Sequence, residues 1–302
     1  MSKAEINYIH GFSQKEQERL YKQAKFFEDM VFEKIDFSRI HEKIAFSRIH
    51  EKIAFSRIPG IHKKTGFSQA YKVLEVGCGV GAQTEILLRR FPHICVTGVD
   101  ASTTQITQSK KYLGTYIKQK RVTLDLGNAE NLSYPDETFD GAFICWFLEH
   151  VKKPVEILKE IRRTLKPSAV IYCTEVLNAT FYVHPYSPAT LQYWFQFNDH
   201  HWSLGGDPFV GAKLANYLLA AGYQNISTEV SVHHYDNRTP KKRAQFIEDW
   251  ISFLLSGAPN LLKAKKVTPK LVEEMRQELT RLKDDPDAVF FNTWVQAKAH
   301  AC

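Results

Sequence analysis

Apolar runs that end in glycine or acidic residues recur through the middle of the chain and predict buried strands. Residues 73–76, 94–99 and 139–145 contain few polar side chains, which is typical of parallel strands covered on both faces. A basic segment with helical character, residues 158–166, follows and stops at Pro167. This alternation of strands and helices predicts an α/β fold.

The first apolar run leads into a turn in which every second residue is glycine. Gly77, Gly79 and Gly81 follow Glu75 in the sequence EVGCGVG. A glycine lacks the Cβ that would block a ligand or forbid the dihedral angles of a tight turn. Asp100 ends the second run, twenty-five residues after Glu75, where a carboxylate can accept hydrogen bonds from ribose hydroxyls. The pattern predicts a ligand that contains a nucleoside.

Five ordered segments within about residues 70–178 resemble the class I S-adenosylmethionine (SAM)-dependent methyltransferases. They are the glycine turn, the run ending at Asp100, and residues 124–131, 138–145 and 158–167. The resemblance implies a doubly wound, mostly parallel seven-stranded sheet with an antiparallel last strand, here residues 289–297, and SAM as cofactor. A dinucleotide-dependent oxidoreductase is disfavoured, because its G-x-G-x-x-G turn is G-x-G-x-G here and Glu75 would repel a pyrophosphate.

The resemblance assigns cofactor contacts to the ends of these strands. Asp100 is expected to hold the ribose, and Asn128 to accept a hydrogen bond from the adenine amino group. The positions expected to bind the cofactor are Glu75, Gly77, Cys78, Gly79, Gln83, Thr84, Asp100, Ala101, Gln105, Asn128, Ala129, Glu130, Cys145 and Trp146.

The methyl acceptor is expected among aromatic and histidine residues on either side of this core. Segment 181–202 is dense in both, and apolar walls with a few polar groups are typical of small-molecule pockets. His150 is the candidate general base, because imidazole titrates near neutral pH; the alternative is that it only packs or caps a helix. No metal is expected. The acceptor pocket is predicted to contain Tyr8, Phe12, His150, Phe181, Tyr186, Trp194, His200 and His201.

The chain divides into two predicted regions. Residues 1–66 form a helical extension that contains a nine-residue tandem repeat, FSRIHEKIA, over residues 37–58. Ser13 and Glu16 have the spacing of a helix capping box. Residues 67–302 form the methyltransferase domain, with a lid insertion at about 179–210 and a helical insertion at about 236–285.

Composition limits the functional classes. The formal charge is +7, but the basic residues are dispersed, so nucleic acid is an unlikely partner. Five cysteines without a C-x-x-C pair favour a reduced cytoplasm, and no apolar run is long enough to span a membrane. The expected function is methylation of a small molecule by a protein that can form homo-oligomers. The alternatives are an RNA or protein methyltransferase and a noncatalytic SAM-binding regulator.

Overall fold

A central sheet of eight strands organises the part of the chain that the computed structural model describes, residues 8–37 and 71–302. In chain order the strands are β1 (Tyr71–Val76), β2 (Ile94–Asp100), β3 (Val122–Leu126), β4 (Phe139–Cys145), β5 (Leu165–Val176), β6 (Tyr182–His184), β7 (Gln224–Tyr235) and β8 (Val289–His300).

The strand order is β3-β2-β1-β4-β5-β8, with β6 and β7 both paired to β8. Strands β1 to β5 pair in parallel, and β8 runs antiparallel to β5, β6 and β7. The predicted mostly parallel sheet with an antiparallel last strand is confirmed. The sheet has eight strands rather than the predicted seven, because the three-residue β6 adds to it. Strand β8 lies inside the sheet, between β5 and β7.

Helices cover both faces of the sheet and the ends of its strands. They are α1 (Gln14–Phe26), α2 (Glu28–Phe32), α3 (Ala82–Arg90), α4 (Thr103–Tyr112), α5 (Gly114–Lys118), α6 (Pro154–Thr164), α7 (Pro188–Ser203), α8 (Leu214–Ala220), α9 (Pro240–Lys263) and α10 (Pro269–Asp284). Among the described residues, none of these helices combines the length and the hydropathy needed to cross a lipid bilayer.

The order of the strands determines where a ligand can bind. The chain moves outward from β1 through β2 to β3 and then returns to the other side of β1 with β4. The helices after β1 and β4 therefore leave the sheet on opposite sides, and a crevice opens at the carboxyl ends of these two strands. The glycine turn follows β1, and residues 146–150 follow β4.

The N-terminal segment 8–37 packs onto this crevice. Ser13 caps α1 by accepting a hydrogen bond from the backbone N–H of Glu16 (3.2 Å), as the capping pattern predicts. Tyr21 of α1 donates to Glu85 of α3 (2.6 Å). Phe37, the first residue of the tandem repeat, is fully buried. The rest of the repeat and the predicted boundary at 66/67 lie outside the described residues.

Candidate active site

A cavity of about 460 Å³ lies at the carboxyl ends of β1, β2 and β4. The glycine turn and the ends of β2 and β4 form one side, and the N-terminal segment, α7 and α9 form the other. Twelve of the fourteen positions expected to bind the cofactor line it, as do Tyr8, Phe12, His150 and His201 of the expected acceptor pocket. The structure thus brings most of the predicted site residues together around one space.

The glycine turn bends the backbone toward the cavity. The φ angles of Gly77, Gly79 and Gly81 are +73°, +51° and +79°, a region that residues with a Cβ rarely adopt. The backbone N–H groups of Gly77 and Cys78 both donate to the carbonyl oxygen of Val99 (2.9 and 3.1 Å). These bonds tie the turn to the end of β2.

Asp100 fixes the same turn from the β2 side. Its Oδ2 accepts a hydrogen bond from the Gly79 N–H (2.9 Å), and its Oδ1 accepts one from the Ser102 N–H (2.8 Å). Burial raises the pKa of this carboxyl, and the two N–H groups oppose the rise. Each carboxylate oxygen has two lone pairs, so both oxygens can still accept a hydroxyl from a ligand.

Two positions expected to bind the cofactor, Glu75 and Thr84, do not line the cavity and lie behind its wall. Glu75 is buried, and its Oε2 accepts a hydrogen bond from Thr84 Oγ1 (2.6 Å). Burial raises the pKa of Glu75 to about 8. Direct contact with a ligand in the cavity is therefore not the role that this geometry favours; the pair supports the turn from below.

The remaining expected cofactor positions on the cavity wall include Asn128 and Ala129, which are expected to receive adenine, and Gln83, which opens the helix after the glycine turn. Asn128 Oδ1 accepts a hydrogen bond from the Glu130 N–H (3.0 Å), so it has one engaged lone pair and one left for a ligand. Both polar atoms of the Gln83 amide are buried without a partner. A buried amide in this state is a sign that a ligand or water normally completes its hydrogen bonds.

The loop after β4 is held in an unusual conformation. Trp146 has a φ of +52°, and its indole Nε1–H is buried without a partner. The Glu175 carboxylate accepts hydrogen bonds from the N–H groups of Phe147 and Leu148 (3.1 and 2.8 Å) and, more weakly, Glu149 (3.4 Å). Burial raises the pKa of Glu175 to about 7. A non-glycine residue at positive φ beside a cavity is typical of functional sites.

Two imidazoles and a carboxylate meet at the wall after this loop. His150 Nδ1 lies 3.2 Å from His201 Nε2. Burial lowers the pKa of His150, with a further decrease from His201, and lowers that of His201 to about 4. Burial also raises the pKa of Glu149. Both histidines are therefore neutral at pH 7, and the site has the low polarity that strengthens interactions with a bound ligand.

Four residues of the predicted acceptor pocket do not line the cavity. Tyr186 is 77% exposed at the surface. His200 is the neighbour of His201, but its ring contacts Ser203 Oγ (3.4 Å). Phe181 and Trp194 are buried in an aromatic cluster, with ring centroids 5.0 Å apart. The prediction is corrected at these positions, because side chains on one helix face several directions and aromatic density does not say which of them face a pocket.

Several cavity residues were not predicted. They include Arg19 of α1, whose guanidinium pairs with Glu16, and Asp249, Trp250 and Phe253 of α9. Asp249 Oδ2 and Asn292 Oδ1 are buried without a partner and also border the cavity. The sequence signal for this wall is the acidic pair Glu248–Asp249 directly before Trp250 in α9.

Comparisons with known proteins agree with this architecture. Residues 74–173 match the family model of the methyltransferase domain. A demethylmenaquinone methyltransferase of Symbiobacterium thermophilum is 34% identical over 113 residues, which cover 37% of this chain and 45% of that protein. An uncharacterized methyltransferase of Schizosaccharomyces pombe is 27% identical over 232 residues, which cover 74% of this chain and 81% of that protein.

A solved structure shares the fold. Haemonchus contortus phosphoethanolamine N-methyltransferase 2, in complex with phosphomonomethylethanolamine and S-adenosylhomocysteine, aligns with a TM-score of 0.50 and 18% identity over 83% of this chain and 52% of that chain. The chain spans less than half the length of the first relative. The domain match over residues 74–173, the methyltransferase relatives and the shared fold support a class I SAM-dependent methyltransferase domain in this chain, a domain that uses SAM as its cofactor.

Proposed function

We propose that this protein transfers the methyl group of SAM to a small-molecule acceptor. The observation that carries the proposal is the single cavity that joins the glycine turn and Asp100 to Trp146, His150 and His201. Its volume of about 460 Å³ is within the range of small-molecule pockets. Residues of α1, α7 and α9 line the side of the cavity that faces the glycine turn, which supports an acceptor small enough to fit between these walls.

In this proposal the two halves of the cavity have different tasks. Asp100 and the glycine turn bind the nucleoside and amino-acid parts of SAM, and Asn128 to Glu130 receive the adenine. Trp146 and the loop after β4 border the methyl group. Methyl transfer from a sulfonium is an in-line displacement, so the main contribution of the protein is to align acceptor, methyl and sulfur.

An acceptor that carries a proton must also lose it. The group formed by Glu149, His150 and His201 borders the cavity, and His150 keeps 27% of its side chain exposed. A neutral imidazole in this position can take up a proton or orient the acceptor. The relative named for demethylmenaquinone supports a small acceptor of this kind.

Calorimetric titration with SAM, and separately with NAD, tests the cofactor half of the proposal. Micromolar SAM binding without NAD binding is expected. Methyl transfer is then tested by measuring S-adenosylhomocysteine formed with a panel of hydroxyl, amine and carbon acceptors. A reaction without acceptor is the control. SAM binding without transfer to any acceptor would favour a noncatalytic SAM-binding protein, and NAD binding alone would refute the proposal.

A further inference from the structure

Glu149, His150 and His201 form a compact group of metal-ligating side chains. One ligand atom from each residue lies within 4.8 Å of the other two. Glu149 and His150 are neighbours in the short 3₁₀ helix Leu148–His150, and His201 comes from the last turn of α7. Two distant parts of the chain are therefore folded so that two imidazoles and one carboxylate face each other.

The distances favour a shared ion over hydrogen bonds alone. Glu149 Oε1 lies 3.7 Å from His150 Nε2, and Glu149 Oε2 lies 3.9 Å from His201 Nδ1. Both are too long for hydrogen bonds. The other two ring nitrogens, His150 Nδ1 and His201 Nε2, lie 3.2 Å apart, within hydrogen-bonding distance of each other. Each ring therefore keeps one nitrogen on the side of Glu149 that is available to an ion.

A second observation concerns His201. Its Nδ1 is buried and has no hydrogen-bond partner, and only 4% of the side chain is exposed. A buried ring nitrogen without a partner is costly, and it lies on the side of Glu149. Among the described residues, the two ion pairs of Glu149 are both with these imidazoles, so an ion placed between the three side chains would meet the carboxylate and both rings.

The group is also held in place. The Glu175 carboxylate fixes the backbone of the 3₁₀ helix. Gly206 packs so closely against the His201 ring that a Cβ at this position would overlap it. Ligands that are fixed before the ion arrives lose little freedom on binding, and such support is typical of metal sites.

We propose that Glu149, His150 and His201 bind one divalent first-row transition ion of the Zn²⁺ type. Two imidazoles and a carboxylate are ligands for such ions rather than for Mg²⁺, which prefers oxygen. Three protein ligands leave at least one coordination position open, and His150 and His201 both border the cavity. The sequence had predicted no metal.

The role of the ion rests on the proposed function. An oxygen of the acceptor, from a hydroxyl or an enol, would occupy the open position. A divalent ion lowers the pKa of a bound hydroxyl, so the proton would leave to solvent water before the methyl group is transferred. His150 would then assist the reaction as a ligand of the ion, and the acceptor class would be an oxygen nucleophile.

Cobalt titration of the metal-free protein tests the site directly. Co²⁺ bound by two histidines and a carboxylate gives visible absorption bands, which are expected to saturate at one equivalent and to disappear on addition of Zn²⁺. The variants His201→Ala and Glu149→Gln should weaken Co²⁺ binding by at least about tenfold. His200→Ala is the matched control, since His200 is the adjacent residue of α7 and does not line the cavity, and it should bind like the wild type.

Absence of the bands, or equal binding by wild type and His201→Ala, would overturn the metal site. Circular dichroism and SAM titration of each variant show whether it is folded. These controls also separate the two proposals. If the wild type does not bind SAM, the methyltransferase function is refuted. If it binds SAM but gives no cobalt spectrum, only the metal site is refuted.

Discussion

Replacing Asp100 by alanine is the most direct perturbation of the cofactor half of the site. The carboxylate accepts hydrogen bonds from the backbone N–H groups of Gly79 and Ser102 and lies on the cavity wall. Asp100→Ala therefore removes the expected ribose acceptor and also one of the hydrogen bonds that tie the glycine turn to β2. Both effects weaken SAM binding.

The size of the effect follows from these contacts. A hydrogen bond to a charged group contributes about 1.5–3 kcal/mol, and the proposed pose has Asp100 accepting two ribose hydroxyls. If water replaces about half of this interaction in the variant, the loss is about 1.5–3 kcal/mol. Since about 1.4 kcal/mol corresponds to a factor of ten in affinity, the Kd for SAM should rise by at least about tenfold.

Calorimetric titration of wild type and Asp100→Ala with SAM measures this change. Asp125→Ala is the matched control: Asp125 is in the neighbouring strand β3, its carboxylate accepts from Tyr134 Oη (2.6 Å), and it does not line the cavity. Unchanged affinity of Asp100→Ala would remove Asp100 from the cofactor site. An equal loss in both variants would show that the effect is general rather than local.

Three further predictions concern stability. Gly77→Ala should lower the free energy of unfolding by more than Gly79→Ala, because both cost roughly 1–2 kcal/mol at positive φ but only a Cβ at Gly77 would meet a neighbouring ring. Trp194→Ala should cost about 3–5 kcal/mol, whereas Phe195→Ala, at a position 69% exposed, should cost under about 0.5 kcal/mol. The free energy of unfolding of the wild type should fall by about 1.4 kcal/mol between pH 7 and pH 9 because of Glu75, and this decrease should be absent in Glu75→Gln.

The sign of the pH effect follows from linkage. Glu75 has a folded-state pKa of about 8 and an ordinary pKa of 4.5. Between these two pH values the Glu75 carboxyl is ionised in the unfolded chain but still protonated in the folded one. The contribution to stability is complete below the ordinary pKa and is lost as pH rises through about 8.

Urea denaturation measures all three. Equal losses for the two glycine variants, a small loss for Trp194→Ala, or parallel pH profiles of wild type and Glu75→Gln would each contradict the corresponding argument. Burial raises the pKa of the Cys78, Cys145 and Cys173 thiols, so they stay protonated in both folded proteins, and their ionisation on unfolding cancels in the comparison.

The proximity of the glycine turn and Asp100 was predictable because it depends only on the ends of neighbouring strands. Parallel strands place their carboxyl ends at one edge, so Gly77 and Asp100 had to meet once their strands were recognised. Capping by Ser13 was visible because it involves residues three apart.

The acceptor half depends on long-range packing, which periodicity does not encode. His200 and His201 are equivalent in the sequence, but successive residues of a helix point about 100° apart, and only the docking of α7 decides which one reaches His150. Trp194 was expected in the pocket and is buried behind it, while Trp250, one helix away, borders the cavity.

The interior position of β8 has a consequence for how the protein is made. Residues 289–300 fill the gap between β5 and β7, so while the ribosome is still adding them, the nascent chain has two unpaired sheet edges. Exposed edges pair readily with other chains. Without β8, β5 and β7 lack their shared partner, so truncation before residue 289 should yield aggregates rather than a smaller soluble domain.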